Sequence, residues 1–555
     1  MRFDEIVAQL GDFGPYQKRL YFLMCWSFAI VSVQILAGVF IQATPKHRCA
    51  LPGLLNDTYI SQGPWHDELV NASIPWDSDE EMFDQCMLRR APDGLDNDTA
   101  SCDKWVYSKH PFKSTFVTDA DLVCSEKSLV TYASMILMCG MLFGSLVLGV
   151  LSDIIGRKKV LVISTFGQLC SALSVAWAES YYVYAALRFF VSFFSVGLIL
   201  TSFVMGMELV GAKKRRYAGV VVHLFWCLGL FIETGLAYGI RDWKYLQITI
   251  TAPVSFILLL YIAMLPESPR WLLQRGKTEE AARILQSVAN KNGVKLTEKF
   301  KSLEDVEIEG DKESIWQMFT HRVLLTRSLI VFFNWFVASM VYYGLSLNVG
   351  DLSGNIYLNF FLSAVVELVS YLCLLALLDR LGRKFWQCFS MILGGVACIA
   401  TMFPVMYGGE DIQWVTVALS LVGKFGGSAG FVVIYLYTAE IFPTVMRNSG
   451  MGLCSLCARI GGILAPYIGD LNVIVDGDLG IALPLLIFGS LSVTAGLLVI
   501  FLPETSHKVL PDTVEDAKNF GLSYGSLTKN NTLSSSSVGK AQDQDNLAFS
   551  LDDSK

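Results

Sequence analysis

Runs of about 20 residues almost without charge constrain the fold of this chain more than any other feature. Residues 21–41, 130–151 and 481–502 are three of them. At a rise of about 1.5 Å per residue, such a helix crosses a hydrocarbon core about 30 Å thick. The runs are apolar all round, which excludes the alternating strands of a membrane barrel. Only 17% of the residues are charged, against about 25% in soluble proteins. A soluble enzyme, a secreted domain and a disordered scaffold are excluded as the main reading. An all-α membrane protein is expected.

A hydropathy window of about 19 residues finds twelve spans. They lie near 21–41, 130–151, 159–178, 183–207, 217–240, 246–264, 327–348, 356–378, 385–407, 412–437, 450–470 and 481–502. The first is not read as a cleaved signal, because Met1-Arg2-Phe3-Asp4-Glu5 is no basic leader and no small-residue cleavage site follows. The expected organisation is a cytoplasmic N-terminus (1–20), a six-helix half (21–264) holding a long loop at 42–129, a cytoplasmic linker (265–326), a second six-helix half (327–502) and a largely disordered cytoplasmic tail (503–555). Thr278–Asn290 in the linker is amphipathic and reads as a short helix. The tail, with Ser534 to Ser537, is too polar to form a core.

Basic residues set the orientation. Arg157-Lys158-Lys159, Lys213-Lys214-Arg215-Arg216 and Arg380/Arg383/Lys384 follow spans 2, 4 and 8, and such clusters mark cytoplasmic turns. Residues 42–129 are then extracellular. That loop holds 8 basic and 15 acidic residues, which is the whole net charge of −7. It also holds Cys49, Cys86, Cys102 and Cys124, read as two disulfides of open pairing. The other nine of the 13 cysteines read as small buried thiols. Three N-glycosylation sequons begin at Asn56, Asn71 and Asn97 in the loop; a fourth, at Asn530, lies in the tail, where it is expected to be unused.

The two halves repeat one another. Leu151-Ser152-Asp153-Ile154-Ile155-Gly156-Arg157-Lys158 returns as Leu377-Leu378-Asp379-Arg380-Leu381-Gly382-Arg383-Lys384, 226 residues on. Glu208 returns as Glu440 after 232 residues, and Pro266-Glu267 as Pro503-Glu504 after 237. Six spans plus six in parallel halves is the plan of a secondary transporter with substrate between the halves. The repeated glycine allows a tight turn, and Asp153, Arg157, Glu208, Asp379, Arg383 and Glu440 are candidate gating residues at the inner helix ends.

Asp153-x-x-Gly156-Arg157-Lys158 resembles the signature of the major facilitator superfamily, and Pro266-Glu267-Ser268-Pro269-Arg270-Trp271-Leu272 resembles a motif of its sugar porters and organic-ion transporters. The long cysteine-bearing loop, Ala43-Thr44-Pro45-Lys46-His47-Arg48-Cys49, Leu122-Val123-Cys124, Ala439-Glu440-Ile441-Phe442-Pro443-Thr444-Val445-Met446-Arg447-Asn448, Pro503-Glu504-Thr505 and Leu510-Pro511-Asp512-Thr513 are similar to the organic cation/carnitine/anion transporter family. The resemblance covers roughly 1–515. Family members often carry six cysteines in this loop, where this chain has four. The resemblance implies the twelve-helix major facilitator fold and transport of small organic ions by alternating access.

Ionisable residues inside spans are costly and hence functional candidates. Glu367 sits mid-span and matches a cavity-lining glutamate of cation and carnitine carriers; Arg459 matches an arginine of anion and carnitine carriers. The pair reads either as substrate-binding or as a structural ion bridge. Arg188 and Lys424 occupy matching places in spans 4 and 10, where snorkelling competes with function. Glu233 in span 5 has no assigned role. Trp335 and Tyr342, seven residues apart on one helix face, match family positions that line the substrate cavity, and aromatic faces attract alkylammonium groups. Trp226 and Tyr435 are further candidates. His223 is either a cavity residue or a hydrogen-bonded interior histidine.

The expected function is secondary-active or facilitative transport of small organic cations or zwitterions, such as carnitine-like or amine compounds, across the plasma membrane. An organic-anion carrier is the alternative, and a transport-inactive receptor or scaffold is the alternative from another class. No nucleotide-binding loop or nucleophile elbow appears, so no enzyme is expected, nor any cofactor, metal or nucleic-acid partner. Sodium and the proton are the candidate coupling ions. If the loop is extracellular, glycosidase digestion lowers the apparent mass, and replacing Asn56, Asn71 and Asn97 together abolishes that shift. A shift that survives the triple replacement contradicts the sequon assignment.

Overall fold

The computed structural model describes the chain apart from residues 1–2, 12, 78–81, 90–98, 209, 212–213, 264, 295–316, 352–353, 409–411, 444–445, 472–474, 476–477, 507, 509–510, 512–513 and 521–555. Asn97, Asn530, the tail serines and the middle of the linker lie outside the described residues. Among the described residues there are twelve long helices: α1 (Pro15–Leu36), α2 (Ser128–Ile155), α3 (Arg157–Val175), α4 (Tyr181–Glu208), α5 (Arg215–Gly239), α6 (Trp243–Ala263), α7 (Arg322–Leu347), α8 (Ile356–Leu381), α9 (Arg383–Tyr407), α10 (Gln413–Ile441), α11 (Arg447–Gly469) and α12 (Asp478–Leu498). Eleven are long and apolar enough to cross a membrane. The remaining one, α3, begins with three basic residues and packs along α4 and α6.

The packing follows the repeat. Within the first half α2 packs on α4 and α1 on α5; within the second, α9 packs on α10 and α12, and α7 on α11. Between halves the main contacts are α2 with α11 and α5 with α8. Moving six helices along the chain turns one of these pairs into the other. The parallel repeat inferred from sequence is therefore a two-fold relation in space.

Two faces of the bundle differ. On the loop side the halves touch. Thr131 of α2 donates to Asp470 just past α11, Phe40 stacks on Tyr357 with ring centroids 5.7 Å apart, and Tyr238 meets Tyr357 at 5.5 Å. Phe231 and Phe361 add a contact at 5.5 Å. On the opposite side, the polar clusters at the helix ends are built within each half.

The loop is a small disulfide-held domain. Its bonds are Cys49–Cys102 and Cys86–Cys124, which resolves the pairing left open by spacing alone. Strand β1 (His47–Cys49) pairs antiparallel with β6 (Trp105–Tyr107), and two shorter hairpins join β2 (Trp76–Asp77) to β3 (Met82–Phe83) and β4 (Met87–Arg89) to β5 (Thr99–Ser101). A buried ion pair organises it: Arg48 donates to Asp57 at 2.9 and 2.5 Å, and His66 Nε2 lies 3.0 Å from the same carboxylate. Burial pushes the Asp57 carboxyl upward, but the hydrogen bonds from Arg48 and His66 outweigh it and hold the group below its usual range. Asn56 and Asn71 are exposed. The domain is seated on the helices by Phe116, stacked 3.6 Å from Tyr184, and by Trp243, whose indole donates to Asp119.

The linker forms the expected helix, Thr278–Asn292, and buries Ala281, Leu285 and Val288 against Ile6 and Val7 of the N-terminal helix Phe3–Gln9 and Leu10 just past it. Part of the tail is ordered as well. Val514–Asn519 is helical and is held to α7 by Arg327, which donates to the carbonyls of Ala517 and Phe520 at 2.7 Å.

Candidate functional site

The two D-x-x-G-R-K turns become two equivalent clusters. Gly156 (φ +112°) and Gly382 (φ +89°) break the chain between α2 and α3 and between α8 and α9. A Cβ on either would sit 2.5–2.6 Å from a carboxylate oxygen of Glu267 or Glu504. Those carboxylates cap the following helices. Glu267 accepts from the backbone N–H of Lys158 and Ser268 at 3.0 Å, and Glu504 accepts from Arg383 and Lys384 at 3.0 and 3.1 Å. Helix N-termini favour such negative charge. The capping role of Glu267 and Glu504 was not read from sequence, although their repetition was the available signal.

Arginine links each turn to the neighbouring helix. Arg157 lies 2.8 Å from Asp153 and 3.9 Å from Glu208, which also accepts from the Ser268 hydroxyl. Arg383 lies 3.0 Å from Asp379 and 3.1 Å from Glu440, which accepts from Thr505 at 2.5 Å. All six sequence candidates for gating thus fall into two clusters of three, one per half. The second is drawn tighter than the first.

A different cluster lies at the middle of the bundle, where the halves meet. Glu367 on α8 is 0% exposed. One carboxylate oxygen accepts from the phenols of Tyr342 and Tyr371 at 2.8 and 2.7 Å; the other stands 3.1 Å from the ammonium of Lys424 on α10. Lys424 is itself buried, donates to Ser346 and lies 3.9 Å from the centroid of the Tyr342 ring. It does not snorkel. The cation that meets Glu367 is therefore Lys424 and not Arg459, which stands beside Tyr343 and Tyr435. Spacing could not reveal this partner, because it depends on how α8 and α10 pack.

Aromatic rings surround the acid. Tyr342 stacks on Phe431 at 5.4 Å, and Phe431 meets Tyr435 at 5.5 Å. Trp335 packs 4.1 Å from Tyr435, but it is fully buried and its indole donates to Thr438. Trp335 is thus the back wall of the ring cluster, and Phe431 and Tyr435 are its more open members. Phe431 was not singled out from sequence. The first half contributes Trp226, whose indole donates to the Tyr342 hydroxyl at 2.8 Å across the interface. It also contributes His223, which donates from Nδ1 to the Gly219 carbonyl at 3.0 Å and lies with its ring 5.3 Å from Tyr371. Both readings of His223 thus meet: it is hydrogen-bonded, and it adjoins the acid's own partner. Phe431, Tyr435 and His223 are partly exposed.

Chemically, the cluster offers a carboxylate with phenol donors inside an aromatic shell, with Arg459 to one side. Such a shell suits an alkylammonium group through ring-face attraction and a charge partner.

Comparison with known proteins places this geometry in context. Residues 90–515 match the family described as sugar (and other) transporter. The chain is 38% identical to "Organic cation transporter protein" of Drosophila melanogaster, over 94% of this chain and 95% of that one. It is 36% identical to human "Solute carrier family 22 member 13", over 93% of each chain. Among solved structures, it is similar to the proton:xylose symporter XylE of the major facilitator superfamily bound to 6-bromo-6-deoxy-D-glucose, with a TM-score of 0.58 and 16% identity over 89% of this chain and 98% of that one. At that identity the likeness concerns the fold alone.

The central ion pair generates a stability prediction. Lys424→Met leaves the Glu367 carboxylate buried without its ion partner, a change worth about 3–5 kcal/mol. Thermal unfolding of the purified protein should show a marked loss for Lys424→Met and partial recovery in Lys424→Met/Glu367→Gln. Additive losses would contradict the pairing.

Proposed function

We propose, from the premise that this chain belongs to the organic cation/carnitine/anion transporter family of the major facilitator superfamily and is a multi-pass membrane transporter, that it carries small organic cations or zwitterions by alternating access. The observation that carries the reading is Glu367, a buried carboxylate at the meeting of the two halves, ringed by Tyr342, Tyr371, Trp226 and Phe431. Relatives named as organic cation transporters support the substrate class.

Lys424 is the ion partner of Glu367. An incoming ammonium competes for the same carboxylate while its alkyl groups lie against the Tyr342 and Phe431 rings. Arg459, whose Nε has no hydrogen-bond partner among the described residues, is suited to receive a carboxylate at the other end of a zwitterion. That same arginine, together with Lys424, supports an organic-anion carrier as the second reading.

The loop side is the extracellular face in this proposal, the membrane is the plasma membrane, and both termini are cytoplasmic. Sequons, disulfides and acidic charge in residues 42–129, and basic residues at the opposite turns, support it. The clusters of Asp153, Arg157 and Glu208 and of Asp379, Arg383 and Glu440 then lie at the cytoplasmic ends. They act as gating elements that keep each half rigid while the halves rock against one another. Sodium or a proton is the ion that coupling would use.

Uptake by cells expressing the protein tests the reading, with a quaternary ammonium, carnitine, an aryl carboxylate and glucose as labelled solutes. Uptake of the cation or the zwitterion is expected, and Glu367→Gln should abolish or severely weaken it. Arg459→Asp should shift preference toward the simple cation and away from carboxylate-bearing solutes. Unchanged relative uptake in Arg459→Asp, with the protein at the surface, would make Arg459 structural. Uptake of the aryl carboxylate alone would favour the anion reading.

A further inference from the structure

The first half contains an acid that the substrate site does not use. Glu233 on α5 is 1% exposed, and neither of its carboxylate oxygens has a hydrogen-bond partner among the described residues. It lies seven residues beyond Trp226, hence on the same helix face and about 10 Å nearer the outer end. That face is continuously buried through Trp226, Leu230, Glu233 and Ala237. Trp226 closes it from below by its bond to Tyr342. Beyond it, at the outer end, the halves meet through Tyr238–Tyr357 and Phe40–Tyr357.

The charge acting on Glu233 is the Arg188 guanidinium of α4, which is 2% exposed and donates to the Gln34 carbonyl at 3.2 Å without bridging to the acid. From α1 and α6 come the neutral side chains Gln34, Gln247 and Thr251, bonded to one another. Glu367 and Tyr371 on α8 and Lys424 on α10 are engaged in the substrate cluster. On α5 itself, His223 lies ten residues inward and Tyr238 five outward. Among the described residues, none of these groups bonds to Glu233.

An ionised carboxylate without hydrogen bonds is costly in such surroundings and becomes tolerable when hydrated or protonated. A metal cation is the poorer occupant, since it needs several oxygen ligands and the neighbouring charge is positive. We propose that Glu233 is a proton-binding site that latches the outer gate: it holds a proton while the outer ends of the halves are sealed and releases it to the outer solution when they part and water reaches it. By linkage, protonation favours the sealed state and ionisation the open one. Acidifying the outer solution therefore closes this gate. The proposal rests on the alternating-access reading above and says nothing of which solute is carried.

The test follows the gate itself and needs no substrate. Spin labels on cysteines at Gly239, where a side chain meets open space, and at exposed Leu358 report the separation of the outer ends of α5 and α8. The exposed Cys170 and the partly exposed free cysteines are replaced in this background. Lowering the pH should move the wild-type population several-fold toward the short distance. Glu233→Gln should stay short at every pH, and Glu233→Asp should still respond. A Glu233→Gln protein that follows the wild-type pH response, or a wild type whose distances ignore pH, would overturn the proposal. So would a response to sodium replacement that Glu233→Gln abolishes. Loss of uptake with an intact distance switch would instead count against the substrate reading.

Discussion

Charge inside a helical membrane bundle must find a partner, and the centre of this structure is arranged by that requirement. Glu367 draws Tyr342 from α7, Tyr371 from its own helix and Lys424 from α10 onto one carboxylate. Tyr342 in turn receives the Trp226 indole from the opposite half. One buried acid thereby fixes the approach of three helices in one half and registers the other half against them. In a medium of low dielectric, loss of any member leaves its neighbours unsatisfied.

The same requirement appears in a different form at the helix ends opposite the loop. There each half satisfies its own charges, through the triads of Asp153, Arg157 and Glu208 and of Asp379, Arg383 and Glu440, with Glu267 and Glu504 capping α3 and α9. A half built this way satisfies these charges without the other half. The contacts that join the halves lie instead along α2–α11 and α5–α8 and at the loop-side ends, where aromatic pairs such as Phe40–Tyr357 stand beside the Thr131–Asp470 hydrogen bond.

Much of this was legible in sequence because hydrocarbon imposes a length and a composition on every span. The helix count, the loop after α1 and the two-half repeat follow from apolar runs and motif offsets. Glu367 declared itself as a charge in the middle of such a run. Its partner did not, since Lys424 is 57 residues away and the pairing exists only once α8 packs on α10. The disulfide connectivity was unreadable for the same reason: four cysteines permit several closures, and the fold of residues 42–127 selects one. α3 shows the opposite difficulty. Its basic start blurs the hydropathy signal, and its place is set by packing on α4 and α6. Phe431 looked like any other apolar residue until it stacked on Tyr342.

The central claim is that Glu367 receives the positive charge of the transported solute in place of Lys424. Thermal stability of the purified protein, titrated with a quaternary ammonium compound, tests it most directly. A ligand that binds only the folded state stabilises it in proportion to RT ln(1 + [L]/Kd). The wild-type midpoint should rise as the ligand is added, while that of Glu367→Gln should stay where it is. An equal rise in both would contradict the account, because the charge would then be recognised elsewhere.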